Sequence, residues 1–423
     1  MKKPNLDKKI AFGALAIMFA ALLWSIDGVF IRPKFYTLSA PLVVFLEHLL
    51  GFIVLSPFII LGWKKIKMLN KKTWIAIFWV CVFGGVLGTI MITKAFFAAV
   101  AGETTFSTVI ILQKLQPIFA LILARLILRE KLSKNFYIWA LLGIIAAYFL
   151  AFGKTGLNLS ELNLLHNAAF FAIIAAFSFG SSTVFGKRIV NHLDFKLTTA
   201  LRFGITGIMV FILILFTGDI AKITELTALH WQLLALIVFT SGAGAMFIYY
   251  FGLRRVTAST ATIAELFWPF SAVILDYIIN KNVLNTTQII AALILLIAFY
   301  KVVSQGKVKN ITFKAKVMKG AGRGKNLGFP TANLDQENLD ISHGVYLAET
   351  KINNQTHQGL LHFGYKETFN EKPSLELHIK NFSQDILGQE IEVKIIKKIR
   401  DIKKFKSVDE LKEQIQKDIN STK

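Results

Sequence analysis

Two sets of residues in this 423-residue chain have the types and spacing to do chemistry. The first is the run Gly320-Ala321-Gly322-Arg323-Gly324-Lys325-Asn326-Leu327-Gly328-Phe329-Pro330-Thr331-Ala332-Asn333. Glycines at Gly320, Gly322, Gly324 and Gly328 let backbone amides come close to phosphate oxygens. Arg323 and Lys325 add positive charge. Thr331 and Asn333 offer neutral oxygens suited to a magnesium ion shared with phosphates. The run is not a Walker A loop, because Gly-Lys-Ser/Thr is absent, and it does not open a helix as a dinucleotide fingerprint does. On the glycines alone, a flexible basic turn explains it as well as a phosphate site does.

The second set consists of polar residues inside long apolar runs. A charge at a membrane centre costs roughly 2.5–3.5 kcal/mol on insertion scales. Asp27, Glu47, Lys94, Lys114, Arg202, Glu265 and Asp276 therefore need partners, water or a function. Gln113 and Glu265 each stand four residues before a proline, Pro117 and Pro269, where a loosened helix is expected. The expected solute site is a cavity lined by Gln113, Lys114, Glu265 and Trp268. Trp24 offers a face for an aromatic ring, and Asp27, Glu47, Lys94 and Arg202 are further candidates. The competing reading is structural pairing. Glu47 and Arg202 are equivalent under a shift of 155 residues and are read as neutralising each other. Asp276 and Arg125, near helix ends, are expected to snorkel, and His48 reads as a hydrogen-bonded packing residue.

The elements that must position these residues follow from composition. Apolar residues make up 54% and charged residues 17%, against about 25% charged in a soluble domain, so a purely soluble protein is excluded. The single cysteine, Cys81, excludes a disulfide framework and a multi-cysteine zinc site. Of 26 acidic residues only 11 precede residue 306, against 27 of 48 basic ones, so the first part is apolar and the second charge-rich. The expected division is a membrane domain, 1–305, and a soluble domain, 306–423. The net charge of +22 marks cytoplasmic loops in such a protein, and no nucleic-acid partner is expected.

Ten spans of the necessary length are predicted, roughly 10–31, 40–62, 73–97, 105–128, 136–153, 167–187, 197–217, 231–253, 257–280 and 286–304. Lysines before the first span resemble a signal peptide, but no clear cleavage site follows, which favours an uncleaved helix. Basic residues cluster in alternate loops, at 64–72, 129–134, 187–196 and 254–255, so both termini are predicted to be cytoplasmic. A shift of 152 lays Ser107, Thr108, Pro117 and Ala120 on Ser259, Thr260, Pro269 and Ala272. Five spans per repeat force opposite orientations, which is a recurrent transporter design.

From Ile311 the apolar period becomes two, in Ile311/Phe313/Ala315/Val317, Val345/Leu347, Leu375/Leu377/Ile379 and Ile391/Val393/Ile395. Short alternating strands suggest a small antiparallel barrel or sandwich. A closing helix is predicted from a capping box at Ser407 and Glu410, with Val408, Leu411, Ile415 and Ile419 as its buried stripe.

The membrane half resembles EamA-type members of the drug/metabolite transporter superfamily. Leu115-Gln116-Pro117 through Leu128-Arg129-Glu130-Lys131-Leu132 is similar to the family's fourth helix and following loop, and Leu201-Arg202-Phe203 to its Arg-Phe signature. Glu47-His48 at the equivalent place in the first repeat departs from it. The resemblance implies an all-α membrane fold of ten transmembrane helices in two inverted five-helix repeats, and says little about substrate.

The second half resembles riboflavin kinase. Gly328 to Asn333 matches its Gly-Phe-Pro-Thr-Ala-Asn, followed in order by Gly344-Val345-Tyr346, Leu375-Glu376-Leu377-His378-Ile379, Gly388-Gln389-Glu390-Ile391 and Arg400-Asp401-Ile402-Lys403-Lys404-Phe405. The resemblance implies an all-β six-stranded barrel with a C-terminal helix, MgATP at the Gly-rich segment, and metal and phosphates held by Thr331 and Asn333. It implies Glu376 as the general base for the riboflavin 5′-hydroxyl and Arg400 on the flavin side, with His378 structural. His362-Phe363-Gly364-Tyr365-Lys366-Glu367-Thr368 departs from the family's usual Asn-Ile-Gly-x-Arg-Pro-Thr. No adenylyltransferase domain is seen in the chain, so FMN is the expected product.

Together the halves point to riboflavin uptake across a cytoplasmic membrane followed by ATP-dependent, Mg2+-dependent phosphorylation to FMN. The expected partners are riboflavin, FMN and the lipid bilayer, with a homodimer left open. The alternatives are a carrier of an unrelated metabolite with a tethered kinase, or with a degenerate flavin-sensing domain.

Overall fold

The computed structural model describes residues 8–103, 106–130, 132–152, 167–280, 284–305, 311–320, 328–336, 339, 341, 343–353, 355–366, 371–403, 405 and 407–420. The chain divides into two compact units, Met1–Lys307 and Val308–Lys423.

The first unit is helical. Among the described residues, eight helical runs are long and apolar enough to cross a membrane: Lys8–Phe35, Ala40–Lys67, Lys71–Val100, Phe170–His192, Phe195–Thr217, Ala228–Leu253, Ala258–Leu275 and Thr286–Gln305. Two shorter apolar helices are Gln116–Ile127 and Lys134–Leu150. Several helices start on side-chain caps. Asn70 accepts from the Thr73 amide at 2.8 Å, Asp194 from the Leu197 amide at 3.0 Å and Thr257 from the Thr260 amide at 3.0 Å.

The runs are not regular helices throughout, and the irregularities cluster. Helix α1 (Lys8–Ile26) continues as a π-helical segment, Asp27–Ile31, and a 3-10 turn, Arg32–Phe35. Helix α2 (Ala40–Lys67) is followed by α3 (Lys71–Trp79), a second π-helical segment, Val80–Leu87, and α4 (Gly88–Val100). Helices α5 (Phe106–Gln113) and α6 (Gln116–Ile127) are broken at Lys114 and Leu115, just before Pro117. Then come α7 (Lys134–Phe152), α8 (Asn167–His192), α9 (Phe195–Thr217), α10 (Ala228–Phe239) and α11 (Ala243–Leu253), the last two parted at Thr240–Gly242. Helices α12 (Ala258–Ala264) and α13 (Phe267–Asn280) are broken at Glu265 and Leu266, before Pro269, and α14 (Thr286–Gln305) ends the unit. The two breaks match the paired prolines: an X-Pro step cannot complete the helical ladder, so the turn before it opens.

Lipid provides little hydrophobic drive for helix association, so close packing must come from small side chains. Helix α8 has them: Ala175, Ala176, Ser178, Ser181 and Ser182 are all buried.

The second unit is a closed, wholly antiparallel barrel. Its strands are β1 (Ile311–Met318), β2 (Ala332–Leu334), β3 (Gly344–Ile352), β4 (Gln355–Lys366), β5 (Glu371–Ile379) and β6 (Glu390–Arg400), in the order β1-β2-β5-β4-β3-β6. On β1, β5 and β6 the inward residues predicted by alternation form the core, with Ala315, Val317, Leu377 and Val393 all under 5% exposed. On β3 the prediction needs correction: Tyr346, Ala348 and Ile352 enter the core, and Val345 and Leu347 lie on the opposite face. Closure leaves no sheet edge for a second chain to pair with.

Helix α15 (Val408–Asn420) starts where expected, with Ser407 Oγ accepting from the Glu410 amide at 3.1 Å. Its predicted stripe needs correction. Val408 is 44% exposed, Leu411, Ile415 and Ile419 are half-buried, and Asp418 is the buried residue at 4%. The reason is an ion pair: Asp418 Oδ2 accepts from Arg400 Nε at 2.7 Å.

Candidate functional sites: a charged membrane cavity and a strand-edge site on the barrel

The turns within residues 27–35 and the breaks at Lys114, Ser241 and Glu265 meet around one cavity. Trp24, Asp27, Glu47, Gln113, Lys114, Arg202, Glu265 and Trp268 all line it, as expected from their types. Lys94 does not; its ammonium lies 5.4 Å over the Phe171 ring. The side chain of Asp276 lies outside the described residues.

One wall is an ion cluster. Arg32 Nε and Nη2 donate to Asp27 Oδ2 at 3.0 and 2.6 Å, Nη2 also to Glu47 Oε2 at 3.0 Å, and Nη1 to Thr93 Oγ1 at 3.4 Å. All three ionic residues are at most 6% exposed. The expected Glu47–Arg202 pair is therefore not formed. Glu47 is neutralised by Arg32, which reads in the sequence as a loop residue. Five residues separate Asp27 from Arg32, a spacing that parts them on an α-helix. The π and 3-10 turns reset that register and bring them together.

Arg202 instead donates to the Gly84 carbonyl at 2.8 Å and to Tyr250 Oη at 3.1 Å. The Gly84 carbonyl belongs to the π-helical segment, where the widened turn leaves carbonyls available to side chains. His48 donates to the Val44 carbonyl at 2.8 Å and stacks on Phe203, so it is a packing residue as expected, and it also borders the cavity.

The other wall is centred on Glu265, in the break between α12 and α13. Its carboxylate accepts from Tyr249 Oη at 2.9 Å, Thr183 Oγ1 at 3.3 Å and Gln116 Nε2. Gln113 Nε2 donates to Gln116 Oε1 at 2.8 Å, so the two repeat-related positions, 113 and 265, are joined through Gln116. The Lys114 ammonium lies 4.7 Å over Trp268. Trp24 donates to the Ser241 carbonyl at 2.8 Å and packs against Tyr249 at 5.4 Å. Arg32, Gln116, Thr183 and Tyr249 were not singled out from the sequence. Gln116 stands beside the paired proline, a signal that could have marked it; the others carry none.

In the barrel, register does the positioning. Asn333 on β2 faces Glu376 on β5, and Glu376 faces His362 on β4, so the three form one row on one face. Thr331 Oγ1 donates to Glu376 Oε2 at 3.4 Å and Ser374 Oγ to Oε1 at 3.2 Å. His378 Nδ1 donates to the Pro330 carbonyl at 2.8 Å, fixing the backbone just before Thr331, the structural role expected of it. Gly328 has φ 86°, in the left-handed region that favours glycine. A Cβ at Gly320 would overlap the Asn333 amide, so glycine is what lets the two strand ends close up. Gly322, Arg323, Gly324 and Lys325 lie outside the described residues.

Thr331, Asn333 and Glu376 thus converge as two neutral oxygen donors and one carboxylate. That set fits a magnesium ion, which keeps several waters or phosphate oxygens and needs only one or two carboxylates. Among the described residues no cluster of three or more His, Cys, Asp or Glu is placed to hold a metal by itself. Arg400 is committed to Asp418 and stacks toward Phe405 at 5.6 Å.

Comparisons with known proteins agree with this division. Residues 11–152 and 166–304 match the EamA-like transporter family, and residues 307–423 match riboflavin kinase. Over 293 residues the chain is 41% identical to the riboflavin transporter ImpX of Fusobacterium nucleatum subsp. nucleatum, covering 69% of this chain and 97% of that protein. Over 119 residues it is 35% identical to the human riboflavin kinase, covering 26% of this chain and 77% of that enzyme. A crystal structure 13% identical in sequence superposes with a TM-score of 0.52, over 69% of this chain and 96% of its own, and shares the fold.

Proposed function

Since the chain belongs to the EamA-like transporter family through residues 11–304 and carries a riboflavin kinase domain in residues 307–423, we propose that it imports riboflavin and phosphorylates it to FMN. The observation that carries the reading is the fusion itself. A membrane unit similar over 97% of a riboflavin transporter is continuous with a domain whose substrate is riboflavin. Phosphorylation adds about −1.5 to −2 charge near neutral pH. A flavin so charged does not recross a bilayer, so the kinase keeps free riboflavin low and import downhill.

In this reading the two shorter apolar helices also span the bilayer, which makes ten spans in two inverted repeats of five. The loop lysines and arginines place both termini in the cytoplasm and the protein in the cytoplasmic membrane. The two prolines and the two helix breaks are the repeat-related features that support it. The solute site is the cavity between Asp27 and Glu265, lined by aromatic faces suited to a flavin ring.

In the kinase domain Glu376 is the general base, taking the proton of the riboflavin 5′-hydroxyl as its oxygen attacks the γ-phosphorus of ATP. Thr331 donates to that carboxylate and holds it on β5. The backbone at Gly320 and Gly328 leaves room for phosphate oxygens, and Asn333 and Thr331 present side-chain oxygens there. A bound magnesium ion would neutralise phosphate charge at those oxygens. Arg400 forms the flavin-side boundary, held in place by Asp418.

The test is uptake of labelled riboflavin into proteoliposomes that enclose MgATP, with the internal flavins separated afterwards, for wild type beside Glu376→Gln. Internal FMN in wild type with only equilibrating riboflavin in the variant supports import with trapping. Kinase activity in detergent without riboflavin entry in either protein sinks the transport reading.

A further inference from the structure

The lining of the membrane cavity carries six ionisable residues of full formal charge, and they cancel. Asp27, Glu47 and Glu265 oppose Arg32, Lys114 and Arg202. Moving a proton from Lys114 to Glu265 leaves the total unchanged. Arg32 is saturated by two carboxylates and a threonine hydroxyl. Arg202 bonds no carboxylate among the described residues, but two of its nitrogens are taken by Gly84 and Tyr250, and the second carboxylate on Arg32 offsets its charge through space. The cavity has no net cation to offer a dianion, and a bare charge in such a site is costly.

What it does offer is open hydrogen-bonding capacity. Asp27 Oδ1, Ser241 Oγ and Arg202 Nε are buried without a hydrogen-bond partner among the described residues, and all three residues line the cavity. Ser241, in the break between α10 and α11, stands beside the Asp27 carboxylate without completing a hydrogen bond of good geometry to it, so that one solute hydroxyl can bond both. Buried polar atoms left unpaired are expensive, so each marks a place where a solute hydroxyl gains a bond and the protein loses a penalty. Trp24, whose indole is fixed by the Ser241 carbonyl, sets an aromatic face beside them.

We propose that this cavity accepts an uncharged aromatic solute with a hydroxylated chain, seats that chain on Asp27 and Ser241, and rejects the phosphorylated form of the same solute. The inference rests on the riboflavin reading for the identity of the solute and goes one step further. The membrane unit cannot serve as an exit for the kinase's product, so trapping holds against the carrier as well as against the bilayer.

The experiment is counterflow in proteoliposomes of the full chain without ATP, which keeps the kinase silent. Vesicles are preloaded with unlabelled riboflavin, FMN or lumiflavin (the flavin with a methyl group in place of the ribityl chain), and entry of labelled riboflavin is followed. Internal FMN is expected to be roughly a hundredfold less effective than riboflavin. Glu47→Gln, which leaves Arg32 paired with Asp27, is expected to narrow that gap about tenfold by making the cavity cationic. Ser241→Ala is expected to lower the preference for riboflavin over lumiflavin roughly three- to tenfold while lumiflavin still exchanges. FMN exchanging as readily as riboflavin in wild type overturns the charge argument. Equal losses for riboflavin and lumiflavin in Ser241→Ala overturn the seating of the chain. Absence of exchange with every flavin overturns the riboflavin reading and this inference with it.

Discussion

Around the membrane cavity the charged groups are held mostly by one another, while on the barrel the Glu376 carboxylate stands in a row with Asn333 and His362. Arg32 spends its whole guanidinium on Asp27, Glu47 and Thr93, and Glu265 is bonded by three neighbours. Glu376 accepts from the hydroxyls of Thr331 and Ser374 at 3.4 and 3.2 Å, long for charge-assisted bonds. The difference fits the two environments. Without water, a polar group must be satisfied by protein or solute. On the barrel, water and nucleotide phosphates can complete the shell around the carboxylate proposed as a base. Charge around the cavity is therefore mostly architecture, and on the proposed reading the carboxylate of Glu376 is a reagent.

The largest effect tests the reagent side. Glu376→Gln removes the proton acceptor with little change of shape. FMN formation by the purified full chain is expected to fall about 10²–10⁴-fold, with riboflavin counterflow unaltered. A variant that keeps most of its activity would show that Glu376 is only an ordinary strand residue.

Next in size is the architectural side. Arg32→Met leaves Asp27 and Glu47 buried without their cation, at a cost of about 3–5 kcal/mol. Thermal unfolding of the purified protein should show the membrane unit melting earlier while kinase turnover is unchanged. Adding Asp27→Asn and Glu47→Gln to Arg32→Met should restore much of the loss, because no bare charge then remains. If the triple variant were as unstable as the single one, the cluster would owe its importance to shape and not to charge balance.

Those two sites also differ in how legible they were. Asn333, Thr331 and Glu376 were singled out by a dense ordered motif that resembles riboflavin kinase, and strand register then sets Asn333 opposite Glu376. Pro117 and Pro269 marked the two helix breaks because the cause is local. The Arg32 cluster was hidden, since it depends on π and 3-10 turns that no apolar periodicity announces. The Arg400–Asp418 pair was hidden too, because a strand end and a helix 18 residues later share no period. Val408 was misplaced on the inner stripe of α15 for want of that pair: the helix turns Asp418 inward and Val408 to solvent.

A smaller effect probes how open the barrel site must be. Gly320→Ala puts a methyl group into the Asn333 amide. That amide is the end of a mobile side chain, so it swings aside and stability falls by only about 1 kcal/mol. The displaced group is one proposed for the nucleotide side. The KM for MgATP is expected to rise roughly three- to tenfold with kcat less affected. A change in kcat alone would move Asn333 from nucleotide binding to the chemical step.

The smallest effect returns to the membrane unit, at a carboxylate outside the lining of that cavity. Glu130 is 5% exposed and lies just beyond α6. Its Oε1 accepts from the Ala258 amide at 2.8 Å, and its Oε2 from the Ser259 amide at 3.1 Å and the Ser259 hydroxyl at 2.5 Å. It therefore caps α12, a helix of the second half, from a loop of the first. Negative charge is favourable at a helix start, and these amides have no partner inside the helix. Glu130→Gln keeps one acceptor, turns an NH2 group toward the Ser259 donors and loses the charge. A stability loss of about 0.5–1 kcal/mol is expected, with the riboflavin-to-FMN preference unchanged because the cavity charge is untouched. If that preference shifted as it should in Glu47→Gln, charge outside the cavity would govern selectivity, and the division between architecture and reagent would have to be redrawn.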